Sequence, residues 1–407
     1  MVTRRGPVEP STIEGRTNLL LGLGRSAGCD AIGVARAEVF VEARIELERR
    51  KAVGLSDNMG FTYRNIVRST DPSTALPNAR SVIVAARRYR RADVDAPSPT
   101  SGRIARYAWT DQYTPLREAL GEVSQTLRAW GYRTRILADD NALVDRAAAY
   151  KAGLGWFGKN ANLLLPGQGS WYVLGSLVTN ADLQPAGEPV ADGCGSCNRC
   201  IDACPTAAII APGVVDARRC LAWLVQRPGS FPMEFREALG DRIYGCDDCQ
   251  EVCPPNRTLD RKEPPTQADP AAQPWTEMCS LVTDTDTQLL ARHGRFYLPE
   301  RDPNILRRNA LLALGNVVAA WQSKGLENTS GIVMGNSSPD STRVAAIQAA
   351  TQVIIDALLH ASPLVRGAAA WAAGRIGAVE VLRSRSTEEH DPSVLEEITL
   401  GLAGGPR

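Results

Sequence analysis

The sequence predicts an α+β protein in which a mixed α/β region is followed by a cysteine-rich segment and then by helices. Three observations predict this order. Helix-like and strand-like patterns alternate up to about residue 185, eight of the ten cysteines fall between residues 194 and 253, and similar helical blocks recur after residue 300. The predicted domains are residues 1–185, residues 186–256, a linker or arm over 257–300, and residues 301–407.

The N-terminal region has seven segments with the apolar spacing of regular secondary structure. Helices are predicted over residues 18–26, 116–130 and 145–152. Strands are predicted over residues 31–34, 81–85, 134–137 and 171–178. Helices and strands therefore alternate along this region, as in a mixed α/β domain.

Composition and charge narrow the class of protein. The chain is 44% hydrophobic and 22% charged, which is ordinary for a globular protein, and its net charge of +1 confines any nucleic-acid contact to local basic patches. No apolar run approaches the roughly 18 residues that span a bilayer. No apolar stretch directly follows Arg4 and Arg5, so we expect a cytoplasmic protein. In a reducing compartment, ten cysteines point to metal ligation rather than disulfides.

Two cysteine runs dominate the middle segment. The first has the spacing C-x2-C-x2-C-x3-C-P and the second C-x2-C-x3-C-P. In two-cluster ferredoxins the fourth cysteine of a run binds the other cluster. This rule predicts a first [4Fe-4S] cluster on Cys194, Cys197, Cys200 and Cys253. It predicts a second [4Fe-4S] cluster on Cys204, Cys220, Cys246 and Cys249.

Structural zinc is the alternative for these cysteines, because paired C-x2-C motifs also build zinc sites. Zinc does not account for the first run with its terminal proline. Cys29 and Cys279 stand apart from both runs and are predicted to be buried thiols. Two clusters so close in sequence indicate a protein that moves single electrons.

The segment Gly153–Gly158 matches G-x-G-x-x-G, but a predicted helix precedes it and an extended segment follows it. A dinucleotide site needs the opposite order, so a nicotinamide site is the weaker reading. The glycine-rich turn beside Lys159 and Asn160 still suits close approach of a polar ligand.

Carboxylates are the candidate proton carriers of the mixed region. All three histidines lie beyond residue 292, so histidine acid–base chemistry is not expected there. Asp139 and Asp140 follow the strand over 134–137, at a position where α/β proteins place reacting groups. The alternative is a pair of solvated loop carboxylates.

The C-terminal third contains three similar blocks, which begin at Asp302, Ser362 and Asp391. A proline follows each of these residues, so we expect Ser or Asp to cap a helix and proline to occupy its first turn. The recurrence resembles HEAT-like helical pairs, and a plain helical bundle is the alternative. Either arrangement offers a surface for a partner.

The segment Asp139–Thr179, followed by the cysteine runs, resembles the epoxyqueuosine reductase family. That family reduces epoxyqueuosine to queuosine at the wobble position of tRNA. The motifs that carry the resemblance are Asp145-Arg146-Ala147, the glycine-rich segment through Lys159 and Asn160, Gly169-Ser170-Trp171, Leu174-Gly175, the first cysteine run, and Tyr244-Gly245-Cys246-Asp247-Asp248-Cys249-Gln250 with Val252-Cys253-Pro254.

The resemblance implies a nitroreductase-like mixed domain that binds base-off cobalamin without a protein histidine on cobalt. The clusters would pass it one electron at a time. The implied proton donor is Asp139, although Asp139-Asp140-Asn141 replaces the usual Asp-Thr-Gly and leaves Asp140 as an alternative acid. Cobalamin contacts are expected at Arg146, Gly155, Lys159, Asn160 and Ser170.

The resemblance also implies an RNA partner, the anticodon stem-loop of tRNA, and an external low-potential electron donor. Two groups of arginines would contact phosphates, with a solvated face as the alternative for each: Arg307, Arg308 and Arg366 in the repeats, and Arg87, Arg88, Arg90, Arg91, Arg103 and Arg106 before residue 110.

Two other functions remain open from the sequence. One is a related cobalamin and iron–sulfur reductase with a different substrate, similar to reductive dehalogenases. The other is a ferredoxin-type electron carrier whose repeats bind a protein. Bound corrinoid separates either reductase from the carrier.

Overall fold

The computed structural model describes residues 7–329 and 341–403. The helices are α1 (Ile13–Ser26), α2 (Val41–Ala52), α3 (Ile66–Ser69), α4 (Tyr113–Ala129), α5 (Asp145–Lys151), α6 (Arg199–Asp202), α7 (Leu221–Leu224), α8 (Arg236–Leu239), α9 (Asp248–Glu251), α10 (Pro254–Lys262), α11 (Met278–Thr283), α12 (Asp286–His293), α13 (Asn304–Thr329), α14 (Ser341–Asp356), α15 (Pro363–Arg375), α16 (Val379–Ser386) and α17 (Pro392–Leu402). The strands are β1 (Ala31–Arg36), β2 (Ser81–Arg88), β3 (Ser101–Ile104), β4 (Thr134–Ala138), β5 (Trp156–Phe157), β6 (Leu163–Leu164), β7 (Tyr172–Thr179), β8 (Ile209–Ala211), β9 (Val214–Val215), β10 (Arg242–Tyr244) and β11 (Trp275–Glu277). Arg4 and Arg5 lie outside the described residues.

The chain divides into two compact units, each built from several stretches of sequence. The first unit comprises Met1–Ala92, Thr110–Cys220 and Asp247–Ala268, and the second comprises Asp93–Trp109, Leu221–Cys246 and Asp269–Arg407. The four-part division of the sequence stays a prediction. Its proposed linker or arm contains most of α10 together with β11, α11 and α12.

The centre of the first unit is a four-stranded sheet in the order β1-β2-β7-β4, with antiparallel neighbours. β2 is buried over its first six residues, as expected for an inner strand that is covered on both faces. Gly175, in the middle of β7, lies opposite Ala138, the last residue of β4. The mixed α/β character predicted from periodicity is thus observed, with strand ends shifted by a few residues.

Helices cover both faces of this sheet. On one face the small residues Ala147, Ala148 and Ala149 of α5 pack into a core with Val82 and Val84 of β2. Side chains alternate between faces along a strand, so the intervening residues of β2 point to the other face, where α4 packs. Because α5 follows β4 after only six residues, the end of that strand and the start of this helix are held at a fixed separation.

The cysteine-rich part of the first unit consists of the short helices α6 and α9, the β8–β9 hairpin and helix α10. Helix α9 ends at Glu251, Cys253 is the N-cap of α10, and Pro254 is the first residue of α10. Proline fits there because the first turn of a helix leaves its N–H groups unpaired in any case.

The second unit contains the three-stranded sheet β10-β3-β11 and the C-terminal helices. Helix α15 packs against both α13 and α17, and α14 and α16 pack beside them. Asp391 caps α17 by accepting from the N–H groups of Ser393 and Val394, as predicted. The expected cap at Ser362 is wrong, since its side chain makes no capping bond to α15.

One stretch, Thr342–Leu359, is long and apolar enough to cross a membrane by length and composition alone, with mean hydropathy 1.2 over 18 residues. This stretch differs from the sequence-based expectation that no apolar run approaches the length needed to span a bilayer. Ile347, Ala350 and Ile354 recur at helical spacing on α14 and are buried, and α14 packs against α13 and α15. This burial pattern is typical of a core helix of a helical domain.

Candidate functional site

Four cysteines from two distant segments lie together in the first unit. Burial, together with the neighbouring thiols of Cys200, Cys194 and Cys197, raises the pKa of the Cys253 thiol to about 12. Cys253 and Cys194 also pack against the same buried group of side chains around Trp156. The last cysteine of the second run is therefore placed beside the first three of the first run, the arrangement that the crossover rule predicts.

This donor set fits an iron–sulfur cluster. Thiols that lie close together resist ionisation, because each thiolate would repel the next. The iron ions of a cluster supply the positive charge that holds several thiolates together. Within the described residues, no group of three or more His, Cys, Asp or Glu side chains is close enough to bind one metal ion.

Of the four predicted ligands of the second cluster, Cys204, Cys220 and Cys249 belong to the first unit. The N–H of Ala208 donates to the Cys204 sulfur over 3.2 Å. Cys246 is the last residue of its stretch of the second unit and directly precedes Asp247 in the chain. The assignment of these four ligands stays a prediction.

The loop of residues 139–144, here called the acid loop, connects β4 to α5. Asp139 adopts a left-handed backbone conformation with φ 55°, which few residues other than glycine and asparagine tolerate. Arg117 of α4 donates to the carbonyl of Ala138 over 2.6 Å and so anchors the strand end next to Asp139.

The two aspartates of the acid loop have different surroundings. Asp140 accepts from the N–H of Ala142 over 2.8 Å and thereby closes the turn. Asp139 is exposed as a residue, but partial desolvation of its carboxyl raises its pKa, against the lowering charge of Arg117. Asp111 and Asp140 add to the increase. Asp139 is therefore better suited than Asp140 to hold and release a proton.

Asp145, the first residue of α5, is a third carboxyl that the sequence analysis left out of the site. Burial raises its pKa well above the ordinary value, and the charge of Asp139 raises it further. The neighbouring Arg146 is exposed and forms no hydrogen bond or ion pair with a described residue. Asp145 belongs to the motif Asp145-Arg146-Ala147, but a carboxylate in the first turn of a helix usually has only a capping role, so the motif did not indicate a site residue.

Tyr89 connects the acid loop side of the first unit to the cysteine segment. Its ring is 5% exposed, and its hydroxyl donates to Oε1 of Gln250 over 3.3 Å. Burial raises the pKa of Tyr89, and the charges of Asp247 and Arg146 lie close enough to shift it. The Tyr89 phenol is therefore hydrogen-bonded to Gln250 of the cysteine segment and lies within reach of the charge of Arg146 on α5.

A set of buried polar side chains, here called the polar junction, joins the start of β7 to the cysteine segment. It consists of Ser170, Gln250 and Asn256. The Ser170 hydroxyl donates to Oε1 of Gln250 over 2.9 Å and accepts from Nδ2 of Asn256 over 3.0 Å. The Ser170 N–H donates to Oδ1 of Asn256 over 2.8 Å. Each polar atom is satisfied, so the junction holds Cys249 and Cys253 at a fixed position.

Gly169 is required by this junction. A Cβ at this position would lie 1.8 Å from Oδ1 of Asn256, and its φ of 73° already disfavours other residues. The motif Gly169-Ser170 is therefore explained by contact with a segment more than 80 residues away.

The predicted cofactor contacts have partners inside the protein. A Cβ on Gly155 would lie 2.0 Å from the carbonyl oxygen of Leu164, so this glycine serves the β5–β6 hairpin. Lys159 donates to Asn198, and Asn160 donates to the carbonyl of Cys249. The contacts of Lys159 and Asn160 tie the glycine-rich segment to the cysteine segment, and those of Ser170 tie the start of β7 to it. The role of Gly155, Lys159, Asn160 and Ser170 in cofactor binding stays a prediction that these contacts do not support.

The arginines predicted to face phosphates are mostly used within the protein. Arg308 is 1% exposed and donates to the carbonyls of Leu224, Arg227 and Gly229, which leaves it no surface for RNA. The remaining arginines form these contacts: Arg307 with Asp284 and Asp286, Arg366 with Glu389, Arg87 with the carbonyl of Gly28, Arg88 with Tyr172 and Gln168, Arg90 with Asp260, Arg91 with the carbonyl of Arg90, Arg103 with Asp241, and Arg106 with Asp93. The phosphate-binding prediction is wrong for Arg308, since its guanidinium satisfies backbone carbonyls in the core.

Two family models match the chain. Residues 193–256 match a 4Fe-4S double cluster binding domain, which covers all eight predicted ligands. Residues 69–140 match the model described as epoxyqueuosine reductase QueG, and this stretch ends within the acid loop.

Curated relatives cover nearly the whole chain. Epoxyqueuosine reductase of Bacillus cereus is 32% identical over 395 residues, with 94% of this chain and 96% of the relative covered. Epoxyqueuosine reductase of Bacillus subtilis is 32% identical over 397 residues, with 94% of each chain covered.

Solved structures agree over the same length. A crystal structure of epoxyqueuosine reductase with an epoxyqueuosine-modified tRNA-Tyr stem loop has a TM-score of 0.81 and 30% identity, and covers 95% of this chain and 97% of that one. A Bacillus subtilis structure described as having its catalytic aspartate loop swung out of the active site has a TM-score of 0.79 and 29% identity, with 96% of this chain and 98% of that one covered.

Proposed function

The chain belongs to the epoxyqueuosine reductase family, and we infer that it is an oxidoreductase that reduces epoxyqueuosine in tRNA to queuosine. The match over 94% of the chain carries this conclusion. A ferredoxin-type carrier would match over the cysteine segment alone. A related reductase with another substrate would not be expected to share this full-length match.

The protein binds two [4Fe-4S] clusters, in agreement with the double-cluster model over residues 193–256. We assign the first to Cys194, Cys197, Cys200 and Cys253, and the second to Cys204, Cys220, Cys246 and Cys249. The clusters supply electrons singly. Removal of an epoxide oxygen as water consumes two electrons and two protons, so the protein must deliver both.

We assign cobalamin to the side of the first unit that carries the acid loop and the start of α5. Base-off cobalamin needs no histidine, and residues 1–292 contain none. Arg146 is exposed and without a described partner, so its guanidinium is available for a polar group of the corrinoid or for a substrate phosphate. When bound, cobalamin supplies a strongly reducing metal centre.

Asp139 is the proposed proton donor to the departing oxygen. Its carboxyl is on a loop that leaves it accessible, and partial desolvation raises its pKa so that the protonated form persists to higher pH. A protonated carboxylic acid next to a forming alkoxide is an effective general acid. The description of a catalytic aspartate loop in the Bacillus subtilis structure supports this role.

Asp145 is proposed to act with Asp139 as a carboxyl pair. Two carboxyls in partly desolvated surroundings resist ionising together, so the pair retains a proton where a single exposed aspartate would not. Asp145 is the more buried member and Asp139 the accessible one. Asp139 therefore delivers the proton, and its negative charge favours the protonated state of Asp145.

tRNA is the macromolecular partner, and its anticodon stem-loop is the part proposed to bind, as in the structure with a modified stem loop.

We further propose a nitroreductase-like fold for the mixed region and HEAT-like pairing for the C-terminal helices, in which α15 packs between α13 and α17. An external low-potential electron donor and a cytoplasmic location without membrane contact complete the proposal.

Anaerobic turnover tests the function. The purified protein, reconstituted with iron, sulfide and cobalamin and supplied with a low-potential reductant, should convert epoxyqueuosine-containing tRNA to queuosine-containing tRNA. Absence of queuosine despite full clusters and bound cobalamin would reject the substrate. Iron analysis that gives about four irons or fewer per chain would reject the two-cluster assignment.

A further inference from the structure

Trp156 lies in β5, where it pairs with Leu164 of β6. Its side chain is 8% exposed and forms a buried group with Leu164 and Cys253, against which Cys194 also packs. Two of the proposed ligands of the first cluster therefore contact the surroundings of this one indole.

The part of the indole around Cζ2 of its six-membered ring faces the backbone just before Cys194. A Cβ added to Gly193 would lie 2.7 Å from Cζ2 and 3.0 Å from Cε2 of Trp156. Cε2 is bonded to Nε1, so the N–H group is next to the chain that leads into the first cysteine run. Glycine at position 193 allows this close approach.

The indole N–H of Trp156 is buried and has no acceptor among the described residues. Other indoles do have one: Trp109 donates to the carbonyl of Ile104, Trp130 to that of Pro7, and Trp275 to that of Val94. A buried donor without an acceptor costs about 1–3 kcal/mol, so proteins rarely retain one without a partner.

We propose that the N–H of Trp156 donates a hydrogen bond to a sulfur of the cluster held by Cys194, Cys197, Cys200 and Cys253. This inference rests on the proposed ligand set. Once iron is bound, the sulfurs of the cluster and the cysteine thiolates would be the hydrogen-bond acceptors near this indole. A donor there stabilises the extra negative charge of the reduced cluster and so raises its reduction potential.

The direct test uses the wild-type holoprotein with 15N-indole tryptophan. Iron and sulfide analysis first establishes that both clusters are present, so a failure of the cluster assignment is seen separately. Pulsed EPR of the reduced protein should then show a 15N coupling to one cluster. The coupling should disappear in Trp156→Phe and persist in Trp130→Phe, whose indole donates to a backbone carbonyl instead.

Redox titration gives a second readout. Trp156→Phe keeps an aromatic ring but removes the donor, so one cluster should become harder to reduce. At a given potential, its ratio of reduced to oxidised protein should fall by roughly three- to tenfold, which is a shift of about 30–60 mV in reduction potential for a one-electron couple. The other cluster and the Trp130→Phe protein should titrate like the wild type. Unchanged potentials in Trp156→Phe, or a wild-type protein with both clusters and no 15N coupling, would overturn the proposal. The wild-type measurement decides the matter even if the variant loses a cluster.

Discussion

The acid loop and the polar junction lie in the same unit but are built in opposite ways. Asp139 in the acid loop is exposed, has a left-handed backbone and has a carboxyl whose pKa is raised. Ser170 and Asn256 in the polar junction are buried, and each polar group is hydrogen-bonded. The difference separates two tasks, since proton delivery needs an accessible group with a perturbed pKa, whereas electron transfer needs cofactors at fixed distances.

The comparison predicts that changes in the acid loop reduce turnover without loss of fold, and that changes in the junction reduce stability and cluster content. Four substitutions test this separation.

The largest effect is expected for Asp139→Asn. The amide cannot supply a proton, so turnover should fall by about 10²–10⁴-fold, as is typical for loss of a general acid. Iron content and cobalamin binding should match the wild type. Asp140→Asn is the matched control and should lose much less, because Asp140 closes a turn. A larger loss in Asp140→Asn would show that Asp140 is the acid.

Gly169→Ala should lower stability by about 2–4 kcal/mol, because the added Cβ collides with Asn256 and alanine is strained at positive φ. Gly167→Ala is the matched control: its φ is 70° and a Cβ there meets nothing within 4 Å. Anaerobic thermal unfolding and iron content measure both variants. Equal destabilisation of the two would leave no role for the contact with Asn256.

Ser170→Ala should cost about 1–3 kcal/mol, because Asn256 and Gln250 each lose a buried hydrogen-bond partner. Ser176→Ala provides the comparison, since the buried Ser176 hydroxyl has no partner and its removal should be neutral or stabilising. Urea unfolding under anaerobic conditions measures the pair. A neutral Ser170→Ala would mean that the junction does not hold the cysteine segment.

The smallest effect is a pH-dependent gain from Asp145→Asn. Burial raises the pKa of Asp145, so its contribution to stability is fully present below its ordinary pKa of 3.8 and is lost as pH rises through the raised value. Asparagine cannot ionise and avoids that loss. The variant should therefore gain about 1 kcal/mol, or roughly 2–4 °C in Tm, at pH 8, and the gain should shrink toward acid pH.

A difference in Tm that stays constant between pH 5 and pH 8 would contradict the raised pKa of Asp145. Turnover of Asp145→Asn at increasing pH supplies a second measurement. Because Asp145 is neutral while Asp139 ionises, the variant should lose activity over the same pH range as the wild type.

Much of the fold was predictable because its signals are local. The apolar run of β2, the spacing of α4 and the start of α5 follow from periodicity, which packing against a sheet requires. The position of Asp139 after β4 was predictable for the same reason. The order of the strands was not, since pairing depends on contacts between distant segments.

The sequence by itself determined the chemistry that the protein can hold: two sets of thiolates at cluster spacing, carboxylates without histidine in the mixed region, and a glycine-rich motif. Only the tertiary structure decided how these residues are used. It buried Arg308 on backbone carbonyls, turned Gly169 and Ser170 toward Asn256, and packed the side chain of Trp156 with Cys253 and Cys194. Spacing and composition are properties of the chain, whereas burial and hydrogen-bond partners depend on which distant segments pack together.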